Sequence, residues 1–595
     1  MNLVMRGIKA DNIATRNGDT LEDDWPYFDE NDPIGTYDPL YVDAVVSNPP
    51  YSIAWNPADK ETDPRYSSYG LAPRGKADYA FLLHDLYHLK PDGIMNIVLP
   101  HGVLFRGGEE GEIRRNLIEK NKIDAIIGLP ANIFYGTGIP TIIMVLKQKR
   151  DNSDVLIIDA SKGFIKEGKN NKLRASDIKK IVDVISKREN VDKFSRVVSR
   201  NEIRENDYNL NIPRYVDSSE ETESWDIFAS MFGGIPKSEI DKLDKYWDAF
   251  PELKTALFEN TSSENCKLVT EDIKKSIKEH QDIKKFEDKF YKAFSDFGDY
   301  LNEELISKMN SLSISRTEEK LAQNIFSRLQ DIPLVDKYEA YQFLDDDWNE
   351  IAIDLEIIQT EGFESTKTVN PNLVVKKKGK IDQEVQDGWK GNIIPFELIQ
   401  STLLAEDIQK LSEKENRLSD ITSNYEEIFD TLTEEEKGSD FVNEDSFVYA
   451  AVKKALKSEI LETETTEKLE EVMKLNNEEK CLKSAIKRES ALIEEKSKET
   501  IENLTDEQVM ELLRDKWVEP IIEKLLQLPD SIVSEFSSKL DSIVKKYGTT
   551  LSDIETQIEE TEKSLSLMID DLVGNEFDMR GLNEFKKLLG GIQND

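Results

Sequence analysis

The feature that most constrains the fold is an apolar run, residues 41–46, that leads into the tetrad Asn48-Pro49-Pro50-Tyr51. A short run rich in valine is typical of a buried strand in a parallel sheet. Asn-Pro favours turns, so the chain is predicted to leave the sheet at the tetrad. We therefore expect a parallel strand whose carboxyl end carries a stiff turn, called the NPPY turn (residues 48–51) below.

The NPPY turn carries the polar groups needed to hold an amino group attached to a nucleobase. The side-chain oxygen of Asn48 and the carbonyl of Pro49 can each accept a hydrogen bond from such an amine. Those bonds draw the nitrogen lone pair out of conjugation with the ring, and Pro50 limits the entropy lost in fixing the turn. Tyr51 offers a face on which an extruded base can stack. These features favour methyl transfer to an exocyclic amine, with an ordinary strand-exit turn as the alternative.

Strand and helix patterns alternate along the first 150 residues. Short apolar runs typical of strands are separated by helical patterns and turn signals. Strands are predicted at 42–46, 94–99, 123–129 and 141–146, helices at 79–89 and 110–120, a turn at 90–93 and an edge strand at 155–159. This order fits the second half of a Rossmann-like domain, which binds its ligands above the strand ends.

The net charge of −40 over 595 residues is unevenly distributed. Residues 1–215 hold 30 basic and 32 acidic side chains, whereas residues 216–595 hold 48 and 86, a net charge of −38. An acidic surface repels phosphate. Contact with nucleic acid is therefore expected from the near-neutral part together with another subunit, and the acidic part is expected to face solvent or a basic protein.

Cysteine and histidine usage argues against disulfides and metal sites. Cys266 and Cys481 lie far apart without metal-ligand spacing, and the four histidines form no cluster with an acid. No apolar run approaches the length of a membrane span, and the first residues lack a signal-peptide pattern. We expect a cytoplasmic protein without a metal centre or a membrane partner.

The length suffices for about two to four domains. From residue 218 onward the pattern is mostly helical, except near 366–392, where two short runs flanking a Lys/Gly turn predict a β-hairpin. The predicted division is a catalytic domain at 1–215, an acidic helical domain at 216–365, the hairpin or linker at 366–392 and a helical region at 393–595.

Two stretches of the helical part show heptad spacing, which predicts coiled-coil arms. The alternative is an intramolecular helical hairpin in which the two apolar seams pack on each other. The seam positions are Leu404, Ile408, Leu411, Leu418, Tyr425, Ile428 and Leu432 in the first stretch, and Leu551, Ile554, Ile558, Thr561, Leu565, Met568 and Leu572 in the second.

Four further segments follow the tetrad in a characteristic order. They are Lys76-Ala77-Asp78-Tyr79-Ala80-Phe81, residues 97–108, Ile126-Ile127-Gly128-Leu129-Pro130, and Phe134-Tyr135-Gly136-Thr137-Gly138-Ile139-Pro140-Thr141. In the order, spacing and residue identity of these segments, this region resembles the modification (M) subunit of type I restriction–modification systems, a family of adenine-specific DNA methyltransferases. The resemblance is close over residues 1–215 and weaker at Gln386-Asp387-Gly388-Trp389 and Ile394-Pro395-Phe396-Glu397.

The resemblance implies an α/β fold: a partial Rossmann-like S-adenosylmethionine-dependent methyltransferase domain, followed by a largely helical, coiled-coil-containing region. It implies S-adenosyl-L-methionine as cofactor and the NPPY turn as the catalytic segment, with Asn48 also near the cofactor. Asp19, in Asn17-Gly18-Asp19-Thr20-Leu21, matches an acceptor for the cofactor's adenine amino group, or is a turn former. Phe134 matches a position that packs against the flipped base beside Tyr51, or anchors its own loop.

The same resemblance implies partners and a substrate. Members of the family act on double-stranded DNA with a specificity (S) subunit and a restriction (R) subunit, and a second M subunit is compatible with that pattern. Cytosine-N4 methylation uses a similar tetrad, often with Ser in first place, so Asn48 favours adenine. The implied activity is that of a site-specific, adenine-specific DNA methyltransferase.

The chain departs from the family in one respect that affects this expectation. Family members carry a first strand with a Gly-rich turn, an acidic ribose ligand and a helical domain before the Asp19-like loop, and residues 1–8 instead resemble a helix from the middle of the domain. We therefore expect a truncated or split methyltransferase with weak or no S-adenosylmethionine binding on its own. The competing hypothesis is a non-catalytic acidic scaffold that assembles with restriction–modification subunits.

Overall fold

The computed structural model describes residues 9–13, 15, 18–22, 40–219, 224–378, 381–443, 446–458 and 462–589. The chain divides into two compact units, Met1–Ser230 and Met231–Asp595. The finer division predicted at 216–365, 366–392 and 393–595 stays a prediction. The helix expected at residues 1–8 lies outside the described residues.

The first unit is built on a six-stranded mixed sheet in the order β1-β2-β4-β3-β5-β8. Its strands are β1 (Val42–Ser47), β2 (Leu89–Pro100), β3 (Ile123–Gly128), β4 (Thr141–Lys147), β5 (Val155–Asp159) and β8 (Ser195–Val198). β1 is parallel to β2, and β3 is parallel to β5, while β4 runs antiparallel to both of its neighbours. β1, β2, β3 and β5 therefore share one direction, and their carboxyl ends lie along one edge of the sheet.

Helices cover both faces of this sheet. They are α1 (Asp78–Tyr87), α2 (Gly108–Glu119), α3 (Ala175–Lys187) and α4 (Arg200–Glu205), with a small hairpin of β6 (Ile165–Glu167) and β7 (Asn170–Lys172) and single turns at Ala10–Asn12, His101–Leu104 and Ile212–Arg214. Alternate residues of a strand point to opposite faces. Accordingly Ile126 joins the apolar cluster that contains Leu82 of α1, whereas Ile127 joins the cluster that contains Val184 of α3. This arrangement confirms the predicted α/β class.

Three local predictions about the sheet are wrong. β1 is an edge strand of the sheet among the described residues, and its Val46 is 87% exposed, so it is not the buried strand that its valines suggested. The predicted turn at 90–93 lies inside β2, where the register jumps from Val42↔Leu89 to Ala44↔Ile94 and the extra residues bulge. β5 was expected at an edge but lies between β3 and β8, because the later residues 195–198 return antiparallel beside it.

The second unit is mostly helical. From residue 227 onward its helices are α5 (Ile227–Phe232), α6 (Lys237–Asp241), α7 (Asp244–Ala249), α8 (Leu253–Leu257), α9 (Ile273–Glu279), α10 (Gln281–Phe294), α11 (Phe297–Leu301), the π-helix Asn302–Ser307, α12 (Ile314–Leu329), α13 (Lys337–Glu361), the 3₁₀ turn Phe363–Lys367, α14 (Phe396–Thr402), α15 (Ala405–Asp430), α16 (Glu434–Lys437), α17 (Tyr449–Ser458), α18 (Thr463–Glu502), α19 (Asp506–Trp517), α20 (Glu519–Leu526), α21 (Leu528–Lys546), α22 (Leu551–Asp570) and α23 (Glu576–Leu589).

Short β elements interrupt these helices. Strands β9 (Ile235–Pro236), β10 (Phe258–Asn260) and β11 (Asn265–Leu268) form a three-stranded sheet in the order β10-β11-β9. Strands β14 (Val442–Asn443) and β15 (Ser446–Phe447) form a small ladder. The long hairpin of β12 (Val369–Lys378) and β13 (Ile381–Gly391) occupies the segment where the sequence predicted one.

The two heptad stretches lie on different helix pairs. α15 packs along α18, with Arg417–Glu478 and Lys414–Glu489 ion pairs between them, whereas α22 packs against α23. Ile554 and Ile558 of α22 stay about half exposed. Each seam therefore has a neighbouring helix of its own, and a coiled coil between subunits stays a prediction.

A buried carboxylate ties together distant parts of the second unit. Asp354 of α13 is 4% exposed, and its Oδ2 accepts hydrogen bonds from Lys516 Nζ at 2.6 Å and from Trp517 Nε1 at 2.9 Å. Lys516 also donates to the carbonyl of Ile393, which follows the long hairpin. Burial raises the pKa of Asp354, and the ammonium of Lys516 opposes that effect.

Replacing Asp354 with alanine is expected to lower the free energy of unfolding by about 3–5 kcal/mol, because the buried indole N–H of Trp517 loses its acceptor and the ammonium of Lys516 loses one of its anionic partners. Urea unfolding of the full chain, followed by tryptophan fluorescence, measures the loss. The matched control is Asp347→Ala on the same helix, whose partly exposed pair with Lys524 is expected to contribute less than about 1 kcal/mol. Equal losses for the two variants would contradict this account of Asp354.

Candidate active site at the strand ends

Four strand ends and the segments that follow them form one edge of the first unit. The NPPY turn follows β1, the turn His101–Leu104 follows β2, the loop 129–140 follows β3, and β5 ends at Asp159. Because these four strands share a direction, their carboxyl ends meet at the same edge. In α/β sheets of this kind ligands bind outside the carboxyl ends of the strands, so this edge is the candidate site.

The NPPY turn is organised by a hydrogen bond within itself. Asn48 and Pro50 are exposed, Pro49 is buried and Tyr51 is half-buried. The Tyr51 hydroxyl donates to Asn48 Oδ1 at 2.8 Å. Partial burial raises the pKa of Tyr51, so the phenol stays protonated as a donor at neutral pH. The acceptor oxygen that the sequence singled out therefore already accepts one hydrogen bond, from Tyr51.

The buried carboxylate of Asp78 holds the residue that follows the turn. Asp78 is 1% exposed at the first position of α1, and its two oxygens accept from Ser52 N at 2.6 Å and from Ser52 Oγ at 3.1 Å. Ser52 has φ +51°, a left-handed conformation that costs energy for a residue other than glycine. The paired bonds to Asp78 offset that cost and fix the direction in which the chain leaves the turn.

Asp78 also joins the NPPY turn to the segment after β2. Arg106 Nη1 donates to Asp78 Oδ2 at 3.3 Å and to Glu110 Oε1 at 2.9 Å. A Cβ built on Gly102 would lie 2.5 Å from the Arg106 guanidinium, so the absence of a side chain at Gly102 lets the guanidinium lie against the backbone. Two of the four strand-end segments are thus cross-linked through one carboxylate.

A second, partly buried carboxylate contacts the residue that precedes the turn. Asp85 of α1 accepts a hydrogen bond from the side chain of Ser47, the residue before Asn48, and its Oδ2 has no hydrogen-bond partner. Burial raises the pKa of Asp85 to about 6, although the Ser47 bond and nearby His88 oppose the shift. At neutral pH this carboxylate is therefore mostly ionised, with one of its two oxygens unpaired.

Phe134 lies in the loop after β3, and its ring packs against the protein. It contacts the apolar cluster that includes Leu129 and Val184, while the neighbouring Tyr135 is 88% exposed. Two strands separate β1 from β3 in the sheet, which places their ends about 14 Å apart. The ring packs as the loop-anchoring alternative describes, and its contact with a flipped base stays a prediction.

Asp19 forms a local turn in the structure. Its Oδ1 accepts a hydrogen bond from Leu21 N at 3.0 Å, and the side chain is exposed. Leu21 is buried in the core, and its carbonyl accepts from Arg65 Nη2 at 3.2 Å, which fastens the segment to the domain. Asn17 of the same motif lies outside the described residues. A role for Asp19 in holding the cofactor stays a prediction.

Sequence reasoning assigned no role to Asp78, Arg106 or Asp85. Asp78 and Arg106 both lay inside motifs that carried the family resemblance, and that position was the one available signal. Within the described ranges no group of three or more His, Cys, Asp or Glu side chains could hold a metal ion. None of the helices in the described part of the chain is long and apolar enough to cross a membrane.

The first unit is similar to known proteins. Residues 1–224 match a family model described as N-6 DNA Methylase. The methylase subunit of the type I restriction enzyme MpnII from Mycoplasma pneumoniae is 41% identical over 234 residues, which are 38% of this chain and 42% of that protein. The MjaVII methylase subunit from Methanocaldococcus jannaschii is 35% identical over 261 residues, 41% of this chain and 43% of that protein.

One solved structure also matches part of the chain. A type I restriction–modification methyltransferase subunit from Streptococcus thermophilus is 51% identical, with a TM-score of 0.34, over 37% of this chain and 45% of that one. The chain thus spans less than half the length of each of these three proteins. Residues 1–224 match the N-6 DNA methylase family model and are similar to type I methylase subunits, which confirms the resemblance inferred from the motifs.

Asp78→Ala is expected to loosen the end of the NPPY turn, because Ser52 and Arg106 lose a buried acceptor. We expect a loss of about 2–4 kcal/mol in the free energy of unfolding and faster hydrogen exchange at the Ser52 amide. The control is Asp43→Ala, which removes an exposed pair with Lys90 and is expected to cost less than about 1 kcal/mol. Unchanged exchange at Ser52 would rule out the positioning role.

Asp85→Asn is expected to stabilise the protein more at pH 7.5 than at pH 5. Below pH 3.8 the Asp85 carboxyl is protonated in both the folded and the unfolded chain. Between pH 3.8 and 6 this carboxyl ionises in the unfolded chain before it does so in the folded chain. The free energy of unfolding therefore falls as the pH rises. The asparagine removes that penalty, and its gain is expected to be about 1 kcal/mol larger at pH 7.5. Urea unfolding at both pH values measures it, with exposed Asp92→Asn as the control. A gain that does not grow with pH contradicts the assignment.

Proposed function

We propose that this chain is the M subunit of a type I restriction–modification system and methylates N6 of adenines flipped out of DNA, with S-adenosyl-L-methionine as methyl donor. The observation that carries the proposal is the NPPY turn at the carboxyl end of β1, held from below by Asp78. The match of residues 1–224 to the N-6 DNA methylase family supports it.

Adenine N6 is a poor nucleophile because its lone pair is delocalised into the ring. Asn48 Oδ1 and the Pro49 carbonyl would accept the two N6 hydrogens and orient the lone pair out of the ring plane. S-adenosylmethionine supplies an electrophilic methyl group when bound. Attack of N6 on that methyl group would form the N–C bond and break the C–S bond, and the amine would then lose its proton to solvent. The chain's contribution is chiefly positioning, which the rigid NPPY turn favours.

The hydrogen bond from Tyr51 to Asn48 sets the order of events at this turn. Base entry exchanges a phenol donor for an amine donor at Asn48 Oδ1, so the oxygen is not left unpaired in either state. The freed Tyr51 ring then lies beside the turn, where it can stack on the adenine. Phe134 is proposed as a second aromatic contact for the flipped base, reached from the loop after β3.

The methyl donor is proposed to bind beside the NPPY turn, with Asn48 near the transferred group and Asp19 accepting from its adenine amino group. Doubly wound sheets bind such ligands in a crevice between neighbouring strands. Among the described residues, β1 has a paired strand on one side only. We therefore expect the 595-residue chain to bind S-adenosylmethionine weakly and to be inactive alone, until a polypeptide completes the other wall of the crevice.

The proposed partners are duplex DNA, a specificity subunit that reads the target sequence, a restriction subunit, and a second M subunit, all in the cytoplasm. The alternative function is a non-catalytic acidic scaffold for such a complex. The net charge of −38 over residues 216–595 favours that alternative, because a surface of this sign repels DNA. Methyl transfer separates the two functions.

The deciding experiment measures labelled methyl transfer to host-unmodified DNA by the chain alone, and by the chain with a specificity subunit and the amino-terminal half of a related methylase subunit. Label on adenine N6 in the complemented reaction supports the enzyme. Label on cytosine N4 would correct the target base. Absence of label despite verified assembly on the cognate target would favour the scaffold.

Substitutions in the NPPY turn are expected to separate hydrogen bonding from stacking. Asn48→Ala removes a proposed acceptor and is expected to lower kcat about 10²- to 10³-fold in the complemented reaction. Tyr51→Ala is expected to weaken binding of the flipped base by about 1–3 kcal/mol through lost stacking. Tyr51→Phe keeps the ring and serves as the control, with activity within about threefold of wild type. Full activity of Asn48→Ala with intact assembly would overturn the assignment.

A further inference from the structure

A short hairpin rich in lysine follows β5 at the edge of the first unit that carries the candidate site. β6 and β7 pair antiparallel, and Gly168 and Lys169 form the two-residue turn between them. Gly168 has φ +63°, a conformation that such hairpin turns use and that glycine adopts without strain. This element, called the basic hairpin (residues 165–172) below, therefore carries Lys169 at its tip.

The basic hairpin is fastened to the segment that follows β3. The backbone N–H of Asn171 donates to the carbonyl of Asn132 at 2.9 Å, and Asn171 Nδ2 donates to the carbonyl of Ala131 at 2.7 Å. Both acceptors belong to the loop 129–140, one of the four strand-end segments of the candidate site. The hairpin therefore keeps a defined position at the same edge of the sheet as the NPPY turn.

Two lysines of the basic hairpin are exposed and unpaired. Lys166 lies opposite Asn171 in the ladder, so both side chains point to the hairpin face that contacts the loop 129–140. Lys166 and Lys169 are exposed, and neither forms an ion pair with another residue in the described part of the chain. Lys172, by contrast, has its Nζ 3.1 Å from Glu167 Oε1. Lys166 and Lys169 are thus available to an external anion.

Positive charge at the candidate edge is concentrated around this hairpin. Residues 160–174 hold four lysines, one arginine and one glutamate, a net charge of +4. Residues 48–52 and 129–140 hold no charged side chain. Arg106, in the segment after β2, is paired with two carboxylates. An anionic polymer that lies along this edge therefore meets its unpaired cations at the basic hairpin.

We propose that the basic hairpin contacts the phosphate backbone of duplex DNA through Lys166 and Lys169 while the NPPY turn holds the flipped base. Four strand spacings separate β1 from β5, which places the hairpin about 19 Å from the NPPY turn along the sheet edge. Phosphates of one strand follow each other every 3.4 Å or so along the duplex axis. One duplex therefore reaches both positions, with the contacted phosphates about five to six base pairs from the flipped adenine.

The inference rests on the proposed function in taking DNA as the substrate, and it adds a backbone contact that the NPPY turn does not supply. An acidic protein is the other anion that could meet these lysines. DNA is favoured because the hairpin lies at the edge where a base enters the candidate site. Residues 216–595, with a net charge of −38, repel phosphate and leave such contacts to the first unit.

The test is the salt dependence of DNA binding by the full chain. Fluorescence anisotropy with a labelled 30-base-pair duplex is recorded between 20 and 200 mM salt for wild type and for the double variant Lys166→Gln/Lys169→Gln. Two lost phosphate contacts reduce the magnitude of the slope of log K against log salt by about 2. Raising the salt from 50 to 200 mM is then expected to weaken wild-type binding about tenfold more than binding by the variant.

Two controls separate a phosphate contact from a general effect of charge. Lys120→Gln/Lys149→Gln makes the same charge change on exposed residues at the opposite edge of the sheet, near the start of β3 and the end of β4, and is expected to leave the slope unchanged. Lys166→Arg/Lys169→Arg keeps the charge and is expected to retain the wild-type slope. Equal slopes for wild type and the hairpin glutamine variant, or no DNA binding by wild type at 20 mM salt, would overturn the proposal.

Further readouts distinguish this contact from a protein contact and from the proposed function. Weaker binding of the hairpin glutamine variant to a specificity or restriction subunit, with its DNA slope unchanged, would overturn the proposal and identify the hairpin as a protein contact. Methyl transfer is measured separately, at saturating DNA with the complementing subunits. A hairpin-dependent slope without methyl transfer by wild type supports the contact and counts against the proposed function alone. Methyl transfer by wild type with equal slopes counts against the contact alone.

Discussion

The buried carboxylate of Asp78 is the constraint on which the edge of the first unit depends. It lies at the start of α1, accepts both donors of Ser52 and pairs with Arg106, so it joins a helix, the NPPY turn and the segment after β2. A buried carboxylate is stable only when its oxygens are paired. The Asp78 carboxylate, the amide and hydroxyl of Ser52 and the guanidinium of Arg106 must therefore keep their mutual positions. The strand ends that these groups connect are then held rigidly together.

The sequence predicted those parts of the fold that depend on local pattern. β3 and β4 were predicted within a residue or two because each is a continuous apolar run buried on both faces. The sequence-based predictions were wrong where strand pairing determines the structure. The segment Lys90–Gly93 contains turn residues but forms a bulge within β2. β5 has an outer neighbour, β8, formed by residues forty positions later. Both outcomes depend on contacts that no local pattern contains.

The residues of the candidate site also fall into those that the sequence predicted and those that it did not. The NPPY turn could be predicted because its candidate functional groups lie on four adjacent residues. Asp78, Asp85 and Arg106 are 26 or more positions from the turn residues that they serve, so only the fold reveals their roles. Asp19 and Phe134 were identified through resemblance, and the structure gives each of them a local structural contact as well.

The hydrogen bond between Tyr51 and Asn48 has a consequence for which bases the turn tolerates. A base with an exocyclic amine returns to Asn48 the donor that Tyr51 gives up. Thymine presents only a carbonyl at the equivalent position, so its entry would break the phenol bond, leave two acceptors facing an oxygen and cost about 1–3 kcal/mol. Under the proposed function, the resting contact would favour a base with an amino group over a base with a carbonyl at that position.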